Sequence, residues 1–355
     1  MTDSDTPAPV AVIGVGRMGR HHARTYAKLA GADLRAVVDP DARRAETVAD
    51  EYGCGFYDSV EALLSGEPDL AAVSVATPTQ THLATAGPLL QRGVGCLVEK
   101  PLAPTVEEAR ALASAAQDHG AVLQVGHTER FNPAVRAVAA MDITPRFIEI
   151  DRVSPMTFRS LDVGVVMDLM IHDLDIVLML VRSKIQRIEA VGIAVMGDCE
   201  DICDCRIVFE SGCVVNLTAS RVALKTERKL RLFSEDAYVT LDYQSRSGVV
   251  LRRSSNALAL SAVREAIHTG ADLSDVDYQD LINVEQLAMD LPEGEDDPLT
   301  AQLGAFIRAV RSGEAPPVTA EDGYAAVDAA QRVLEGIRRH KWEGATGEGI
   351  LNALP

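Results

Sequence analysis

The chain has 355 residues, of which 47% are hydrophobic and 24% are charged, and its formal net charge is −18. This length suits two domains, and the composition is that of an ordinary globular protein with a sizeable core. Because the net charge is strongly negative, we expect neither nucleic acid nor a membrane surface as a partner, although a locally basic cleft could still bind an anionic substrate.

Two further patterns bear on the compartment and on metals. The first ten residues lack the basic region and apolar stretch of a signal peptide, and the chain has no run of about 18 uncharged apolar residues. Cys199, Cys203 and Cys205 form a CxxxCxC cluster that could hold a metal, but no histidine lies near them, and the last two alternate within a predicted strand. We therefore predict no metal site, reduced thiols and a cytoplasmic location.

The first third of the chain alternates short apolar runs with amphipathic segments. The predicted strands cover residues 9–14, 34–39, 71–76, 95–98 and 122–126, and the predicted helices cover 19–30, 41–52, 80–92 and 106–120. Strands that alternate with helices of this length predict βαβ units and an α/β fold with a doubly wound parallel sheet. We assign this domain to residues 1–127.

The rhythm changes after residue 127. The pattern predicts a helix after Pro133, a strand at 147–153, an apolar helix at 165–181, strands at 203–209, 213–220, 229–233, 238–243 and 249–252, and closing helices at 300–311 and 321–339. Consecutive strands with short turns favour a mostly antiparallel sheet. We predict a second domain over residues 128–355, whose closing helices could pack back on the first, and we predict no element for 255–284.

A glycine-rich turn follows the first predicted strand and opens the first helix. Gly14, Gly16 and Gly19 form a GxGxxG pattern, with Arg17 and Met18 between the last two glycines. Glycines at this spacing allow a tight turn, a close approach of a pyrophosphate to the backbone, and close packing of helix on strand. The free N–H groups of the helix start attract the anion. This context favours dinucleotide binding over a turn that needs glycines for packing alone.

Asp39 ends the second predicted strand, about 20 residues after the last glycine. A carboxylate at this point accepts hydrogen bonds from the adenosine ribose and repels a 2′-phosphate, so it predicts NAD rather than NADP as the cofactor. Arg43 and Arg44 follow closely and would soften that repulsion.

The third and fourth predicted strands end in further polar residues. Thr77 and Pro78 end the third strand, with His82 on the following turn, and Glu99 and Lys100 end the fourth. Because ligands bind outside the carboxyl ends of parallel strands, we predict that these residues lie at the cofactor crevice. His82 could equally be a helix-start residue without a chemical role, and Lys100 a solvent-facing lysine.

The apolar helix of the second domain carries an unusual set of ionisable residues. Asp168 and His172 are four residues apart and share a helix face, and Asp175 lies about one turn further. A lone histidine on an apolar helix is most often a core residue. A carboxylate beside it, however, fixes its tautomer and stabilises its protonated form, as a general base requires.

Together these features resemble the Gfo/Idh/MocA oxidoreductase family, which includes glucose–fructose oxidoreductase and inositol dehydrogenase. The resemblance covers nearly the whole chain. It is carried by Gly14-x-Gly16-x-x-Gly19, Ala76-Thr77-Pro78-x-x-x-His82, Glu99-Lys100-Pro101, Asp168-x-x-x-His172-x-x-Asp175 and Asp322-Gly323-x-x-Ala326.

The resemblance implies an N-terminal Rossmann domain that binds NAD, and a C-terminal α+β domain with an open-faced, mostly antiparallel sheet that builds homodimers or homotetramers. It implies that Lys100 and His172 are the catalytic pair and that Asp168 supports His172. These three residues would contact the substrate. The cofactor would contact Gly14, Gly16, Arg17, Met18, Gly19, Asp39, Thr77, Pro78, His82, Glu99 and Lys100.

Two departures from the common family pattern, together with one further segment, resemble one branch of the family. The chain has Asp162-Val163-Gly164-Val165-Val166 where a glycine-rich stretch is usual, Met170 where a small residue is usual, and the segment Val125-Gly126-His127-Thr128-Glu129-Arg130-Phe131-Asn132-Pro133. The branch oxidises UDP-N-acetylglucosamine, or its uronic acid, at the 3-hydroxyl. Arg130, Asn132 and Arg159 are then predicted contacts of the substrate, or else ordinary loop residues.

The leading hypothesis is therefore an NAD-dependent oxidation of a sugar hydroxyl to a ketone, with a sugar nucleotide as the substrate. One alternative is a dehydrogenase of a free sugar or inositol. Another, of a different class, is a non-catalytic NAD-binding regulator on the same scaffold. The presence of both Lys100 and His172 argues against the regulator, because a binding-only protein needs no proton acceptor beside the nicotinamide.

Overall fold

The structure is a computed structural model that describes residues 6–157, 163–253, 257–270, 281–289 and 297–340. Contacts among the described residues divide the chain into two compact units. The bounds of the first unit are Met1–Asn132, Leu174–Ile176 and Leu291–Leu334, and those of the second are Pro133–Asp173, Val177–Asp290 and Glu335–Pro355. The functions assigned to two domains divided after residue 127 stay predictions.

The first unit is built on a six-stranded parallel sheet, as predicted. Its strands are β1 (Ala8–Ile13), β2 (Ala32–Val38), β3 (Gly55–Tyr57), β4 (Ala72–Val75), β5 (Gly95–Glu99) and β6 (Leu123–Gly126). Its helices are α1 (Arg17–Tyr26), α2 (Ala42–Tyr52), α3 (Val60–Gly66), α4 (His82–Leu90), α5 (Val106–His119), α9 (Pro298–Ser312) and most of α10 (Ala320–Arg339). The strand order β3-β2-β1-β4-β5-β6 reverses beside β1, the point where such sheets bind ligands.

The short elements β3 and α3 were not predicted. Strand β3 has three residues at the edge of the sheet, and its central Phe56 is 44% exposed. Helix α3 buries a single residue, Leu63. Neither element therefore has the apolar run or the helical periodicity from which a sequence pattern is recognised.

The core of the first unit includes residues from distant parts of the chain. Val10 and Val12 of β1 and Tyr26 of α1 pack in one buried cluster with Leu303 and Phe306 of α9. Each such side chain contributes about 1.5–3 kcal/mol when it is fully buried. Helix α9 is thus part of the nucleotide-binding type of fold, although it lies far along the chain.

The second unit contains an eight-stranded mixed sheet. Its strands are β7 (Phe147–Val153), β8 (Ile185–Ile193), β9 (Ile202–Phe209), β10 (Val214–Ser220), β11 (Glu227–Phe233), β12 (Ala237–Asp242), β13 (Ser247–Arg253) and β14 (Ile282–Gln286), in the order β14-β13-β12-β11-β7-β10-β9-β8. All neighbours are antiparallel except β7 and β10. Its helices include α6 (Pro133–Ala139), α7 (Ile171–Val181) and α8 (Ala257–Thr269).

This second sheet confirms the predicted fold class and adds elements to it. Strand β14 and helix α8 lie where no element was predicted. β14 is largely exposed, so it lacks the buried alternation that marks a strand. In β9, Cys203 and Cys205 are buried and Asp204 is exposed, so the sheet has one buried face and one open face.

All six cysteines are free thiols. Within the described ranges, no three His, Cys, Asp or Glu side chains form a group that could hold a metal ion. Burial raises the pKa of the Cys205 thiol to about 12, so this thiol stays protonated near neutral pH. None of the helices that the structure describes has the length and apolarity needed to cross a bilayer.

Candidate active site

The three glycines of the turn between β1 and α1 meet different steric demands. Gly14 has a φ of 82°, and a Cβ there would lie 2.7 Å from the carbonyl oxygen of Ala76. A Cβ on Gly19 would collide with the carbonyl oxygen of Gly14. In contrast, a Cβ on Gly16 would meet no atom of a non-neighbouring residue within 4 Å. The turn is therefore closed on the protein side and open beside Gly16, which fits the close approach of a pyrophosphate.

The start of α1 offers hydrogen-bond donors at the same place. Gly16 is the N-cap of this helix, and no side chain caps it. Its first N–H groups therefore keep their partial positive charge for a bound anion. Arg17 and Met18 are exposed in the first turn, and their contacts with the cofactor stay predictions.

The Asp39 carboxylate is buried and fixed by the backbone. Its Oδ2 accepts a hydrogen bond from the Val15 N–H, and its Oδ1 accepts one from the Asp41 N–H, both at 3.0 Å. The half-exposed Arg44 guanidinium lies 3.4 Å from both oxygens. The carboxylate thus has a set orientation next to the glycine-rich turn, as a ribose ligand requires.

The end of β4 is held by His82. Thr77 follows this strand, and its carbonyl oxygen lies 3.0 Å from Nε2 of His82, which is 1% exposed. On the other side of the ring, Nδ1 lies 3.0 Å from the carbonyl oxygen of Pro101. Burial lowers the pKa of His82, although the three backbone carbonyls around it act in the opposite direction. The ring therefore joins two loops, and the cofactor contacts of Thr77, Pro78 and His82 stay predictions.

Glu99 at the end of β5 forms a buried pair that was not predicted. Its Oε1 lies 3.0 Å from Nε2 of His22, a fully buried residue of α1. Burial raises the pKa of Glu99, but the close contact and charge of His22 and the charge of Lys100 outweigh it, so the pKa is lowered. A Cβ on Gly126 would lie 3.0 Å from Oε1, so the glycine of β6 makes room for this carboxylate.

Arg130 lies in a buried ion cluster of the first unit. Its Nε and Nη2 donate to the two oxygens of Asp175 at 2.7 and 2.6 Å, and Nη2 also donates to Asp322 at 3.1 Å. The planar guanidinium matches a carboxylate in this two-bond geometry. From the sequence, Asp175 is expected about one turn after His172, and Arg130 at the substrate. The structure pairs Arg130 with Asp175. The substrate contact of Arg130 stays a prediction.

His127 is a further buried group that the sequence analysis missed. It follows β6, and its Nδ1 lies 4.0 Å from Oδ2 of Asp175. Burial lowers the pKa of His127, and the charge of Asp175 compensates only in part. Its position at the end of a parallel strand was the available signal.

The other two residues predicted to contact the substrate are placed differently. Asn132 is buried, and its Nδ2 donates to Oε2 of Glu129 at 3.2 Å. Arg159 lies outside the residues that the structure describes.

The predicted helix at 165–181 begins with a π-helical turn, Val166–Met170, which holds Asp168. The prediction of continuous α-helix was wrong over this turn. Glu200 fixes its start, since its Oε1 accepts from the Val166 N–H at 3.1 Å and its carbonyl oxygen accepts from the Val165 N–H at 3.0 Å. Such π turns inside helices occur often at functional sites. His172 follows in the first turn of α7.

A buried ion pair fixes α7 to the second sheet. Arg152 of β7 donates from Nε and Nη2 to the two carboxylate oxygens of Asp173, at 2.7 and 2.8 Å. Both side chains are nearly inaccessible to solvent. This pair sets the orientation of the helical turn that contains His172.

The structure assigns the predicted residues to different units. Gly14, Asp39, Thr77 and Lys100 belong to the first unit, at or just beyond the carboxyl ends of four neighbouring parallel strands. Asp168 and His172 belong to the second unit. The chemistry that joins the two groups stays a prediction.

Two parts of the chain match described families. Residues 9–127 match an oxidoreductase family with an NAD-binding Rossmann fold, named GFO_IDH_MocA, and residues 135–240 match the GFO/IDH/MocA C-terminal domain. The chain is also 42% identical over 233 residues to UDP-N-acetylglucosamine 3-dehydrogenase of Acidithiobacillus ferrooxidans, which covers 65% of this chain and 73% of that protein. It is 31% identical over 230 residues to scyllo-inositol 2-dehydrogenase (NAD(+)) of Bacillus subtilis strain 168, which covers 60% and 67%.

Solved structures give the same result. The structure of UDP-N-acetylglucosamine 3-dehydrogenase from Acidithiobacillus ferrooxidans superimposes with a TM-score of 0.80 at 34% identity, over 93% of this chain and 97% of that one. Levoglucosan dehydrogenase in complex with NADH superimposes with a TM-score of 0.77 at 20% identity, over 94% and 98%, and so shows the fold alone. By these matches along both units, the chain belongs to the Gfo/Idh/MocA family of oxidoreductases and carries its NAD(P)-binding Rossmann domain.

Proposed function

We propose that the chain is an NAD-dependent dehydrogenase that oxidises the 3-hydroxyl of UDP-N-acetylglucosamine, or of its uronate, to a ketone. The observation that carries this proposal is the 42% identity over 233 residues with a UDP-N-acetylglucosamine 3-dehydrogenase. The open space beside Gly16 and the fixed carboxylate of Asp39 support the dinucleotide part of it.

In this reaction a hydride leaves C3 of the sugar and a proton leaves its 3-hydroxyl group, and different groups act on each. NAD, held at the glycine-rich turn and Asp39, would supply the acceptor for the hydride that leaves C3 of the sugar. His172 accepts the hydroxyl proton at an imidazole nitrogen, and Asp168 stabilises the imidazolium that results. Lys100 donates a hydrogen bond to the same oxygen as it becomes a carbonyl. The products are a 3-keto sugar nucleotide, NADH and a proton on His172, so atoms and charge balance.

A second candidate function is the oxidation of inositol or of a free sugar. It is favoured by the 31% identity with scyllo-inositol 2-dehydrogenase, which is lower than that with the sugar-nucleotide enzyme. The non-catalytic regulator predicts NAD binding without turnover of any of these substrates.

An assay of nicotinamide reduction separates the three functions. The purified protein is mixed with NAD and, in turn, with UDP-N-acetylglucosamine, its uronate, myo-inositol and glucose. A 2-oxo acid acceptor is added in parallel, so that turnover on a tightly retained cofactor is also detected. We expect NADH formation with one of the two nucleotide sugars. Turnover with inositol or glucose alone would support the second function, and none with any substrate would support the regulator.

Two variants test the catalytic pair. Lys100→Ala and His172→Ala are expected to lower kcat by at least about 10²-fold, because each removes a group that acts on the reacting oxygen. NADH affinity, measured by fluorescence, is expected to stay within about threefold, a free-energy change below about 1 kcal/mol. The matched controls are the lysine and histidine variants Lys184→Ala and His119→Ala. Near-normal rates in both test variants would remove these roles.

We also propose that copies of the chain associate through the open face of the second sheet. The strand register aligns one apolar side chain from each of seven neighbouring strands on this face: Val208, Val214, Phe147, Phe233, Tyr238, Leu251 and Val284. Phe233 and Val284 are 36% and 57% exposed. An apolar row of this length on a sheet face favours a partner over solvent.

A further inference from the structure

The residues on both sides of Lys100 in the chain are in contact with buried histidines. Before it, the Glu99 carboxylate lies 3.0 Å from Nε2 of His22. After it, the carbonyl oxygens of Pro101 and Leu102 lie 3.0 and 3.2 Å from Nδ1 of His82. The two histidines come from different helices, α1 and α4, and they contact the chain before and after Lys100 respectively.

Both contacts are built into the interior of the first unit. The side chain of His22 is 0% exposed, and His82 is 1% exposed. The space for the Glu99 carboxylate depends on Gly126, where any Cβ would press on it. The other ring nitrogen of His82 faces the carbonyl oxygen of Thr77, so this ring also connects the ends of β4 and β5.

We propose that His22 and His82 are a pair of positioning residues that fix the backbone on both sides of Lys100 and so place its amine for the reaction. His22 acts through the carboxylate of Glu99, and His82 acts through the carbonyls of Pro101 and Leu102. Neither histidine contacts the substrate. The inference rests on the catalytic role proposed above for Lys100.

The His22–Glu99 pair also predicts a change in the pH dependence of kcat. The titratable groups around Glu99 are Tyr26 and His22 of α1, His82 of α4, Lys100, and His127 after β6. His22 is the first of the groups that lower the pKa of Glu99, against the burial that raises it. Without His22, the pKa of Glu99 rises, because only the charge and the backbone N–H of Lys100 are left to oppose burial. Protonation of Glu99 would then release the strand end at a higher pH, and the acid limb of kcat would move upward.

The experiment compares a disruptive and a conservative variant at each histidine. Leucine fills the space without a hydrogen bond, whereas glutamine keeps a donor. We expect His22→Leu and His82→Leu to lower kcat by about 10- to 100-fold, the scale of a displaced catalytic group. The KM for the sugar nucleotide is expected to change less than about twofold in both variants, and the affinity for NADH less than about twofold in His22→Leu. His22→Gln and His82→Gln are expected to recover most of kcat.

The pH profile separates positioning from simple loss of structure. The acid limb of kcat is expected to shift upward in His22→Leu and to stay in place in His82→Leu, which leaves the Glu99 pair intact. The matched control is His21→Leu, which changes the neighbouring histidine of the same helix. A His22→Leu profile that superimposes on that of His21→Leu would overturn the proposal. If the leucine variants do not fold, Glu99→Gln replaces His22→Leu. We expect this variant to have a lower kcat and to lose the acid limb of the pH profile, because glutamine does not titrate.

One further measurement does not depend on turnover. The chain has only six lysines (28, 100, 184, 225, 229 and 341), so after reductive ¹³C-methylation the Lys100 methyl resonance can be assigned from Lys100→Arg. We expect His22→Leu and His82→Leu to move this resonance and leave those of the other lysines in place. A Lys100 resonance that is unchanged in both variants would reject the positioning role. If the wild-type protein formed no NADH with any of the sugars, only the proposed function would be rejected.

Discussion

Asp39 is the side chain from which we predict a preference for NAD over NADP. Two backbone N–H groups hold its oxygens, so the carboxylate cannot rotate away from an incoming ligand. Arg44 lies beside it and also contacts Asp41 at 3.2 Å, so one arginine is shared by two carboxylates. A 2′-phosphate would meet the repulsion of Asp39 and the attraction of Arg44 at the same point.

Substitutions here are expected to change the balance between NADH and NADPH. Asp39→Ala should weaken NADH binding by about tenfold, the value of one or two hydrogen bonds to a charged group, and strengthen NADPH binding. Arg44→Ala should weaken NADPH binding and leave NADH binding nearly unchanged. Fluorescence titration of both cofactors measures these effects, with Arg43→Ala as the control on the same helix. An Asp39→Ala protein with wild-type preference would contradict this role.

The residues of the site that could be predicted are those that belong to local motifs. The glycine-rich turn, Asp39 and the Glu99-Lys100 strand end each carry their signal within a few residues of sequence. His22 carries none, because its partner Glu99 is 77 residues away. His127 carries only its position after a parallel strand, because its partner Asp175 is 48 residues away. The partner that Arg130 selects is also set by the fold, since Asp173 and Asp175 are equivalent in sequence and only the structure assigns Arg152 to one and Arg130 to the other.

At the scale of elements, α7 combines an apolar surface with a buried ion pair. Breaking such a pair leaves one charge uncompensated and costs about 3–5 kcal/mol. We therefore expect Asp173→Asn to lower the free energy of unfolding by several kcal/mol in urea titrations. The double variant Arg152→Met/Asp173→Leu is expected to regain most of that loss, because it removes both charges together.

A surface pair on the same sheet serves as the control. Arg187 and Glu189 lie 3.2 Å apart and are each 62% exposed, so Glu189→Gln is expected to have little effect on unfolding. If Asp173→Asn behaved like Glu189→Gln, the buried pair would have no structural role.

Most elements followed from periodicity, and the exceptions share a physical cause. Strands β4, β5 and β6 are buried on both faces and β1 nearly so, and β9 to β12 alternate between buried and less buried residues, so both kinds of strand carry a clear pattern. Strands β3 and β14 and helix α3 bury too little to show one. The π turn at Val166–Met170 was missed because Glu200, whose contacts fix its start, comes 34 residues after Val166.

For the whole molecule, the proposed association uses the open face of the second sheet. Phe233 lies at the centre of its apolar row, with ring centroids 5.8 Å from Phe147 and 4.7 Å from Tyr238. Beside this row, Arg231 lies 3.4 Å from Glu149 and 3.6 Å from Asp151, so the charges next to the apolar row are already paired within one chain. The face is thus suited to association driven by apolar contact.

A single charge in that row is expected to separate the subunits. Phe233→Arg would place an unpaired cation in an apolar interface, which costs several kcal/mol. We expect this cost to exceed what a dimer interface of standard area can offset. Light scattering coupled to size-exclusion chromatography should give a dimer or tetramer for the wild type and a smaller species for the variant. Phe56→Arg changes an exposed phenylalanine of the first unit and is expected to keep the wild-type mass. A monomeric wild type would refute this mode of association.

The position of α9 in the core of the first unit has a consequence for synthesis on the ribosome. Leu303 and Phe306 pack with Val10, Val12 and Tyr26, yet they are translated after every strand of the second sheet. A nascent chain that has emerged as far as the last parallel strand still exposes that apolar patch to solvent and to chaperones. The nucleotide-binding half can therefore complete its folding only after α9 has emerged from the ribosome, and fragments that stop before α9 should be prone to aggregate.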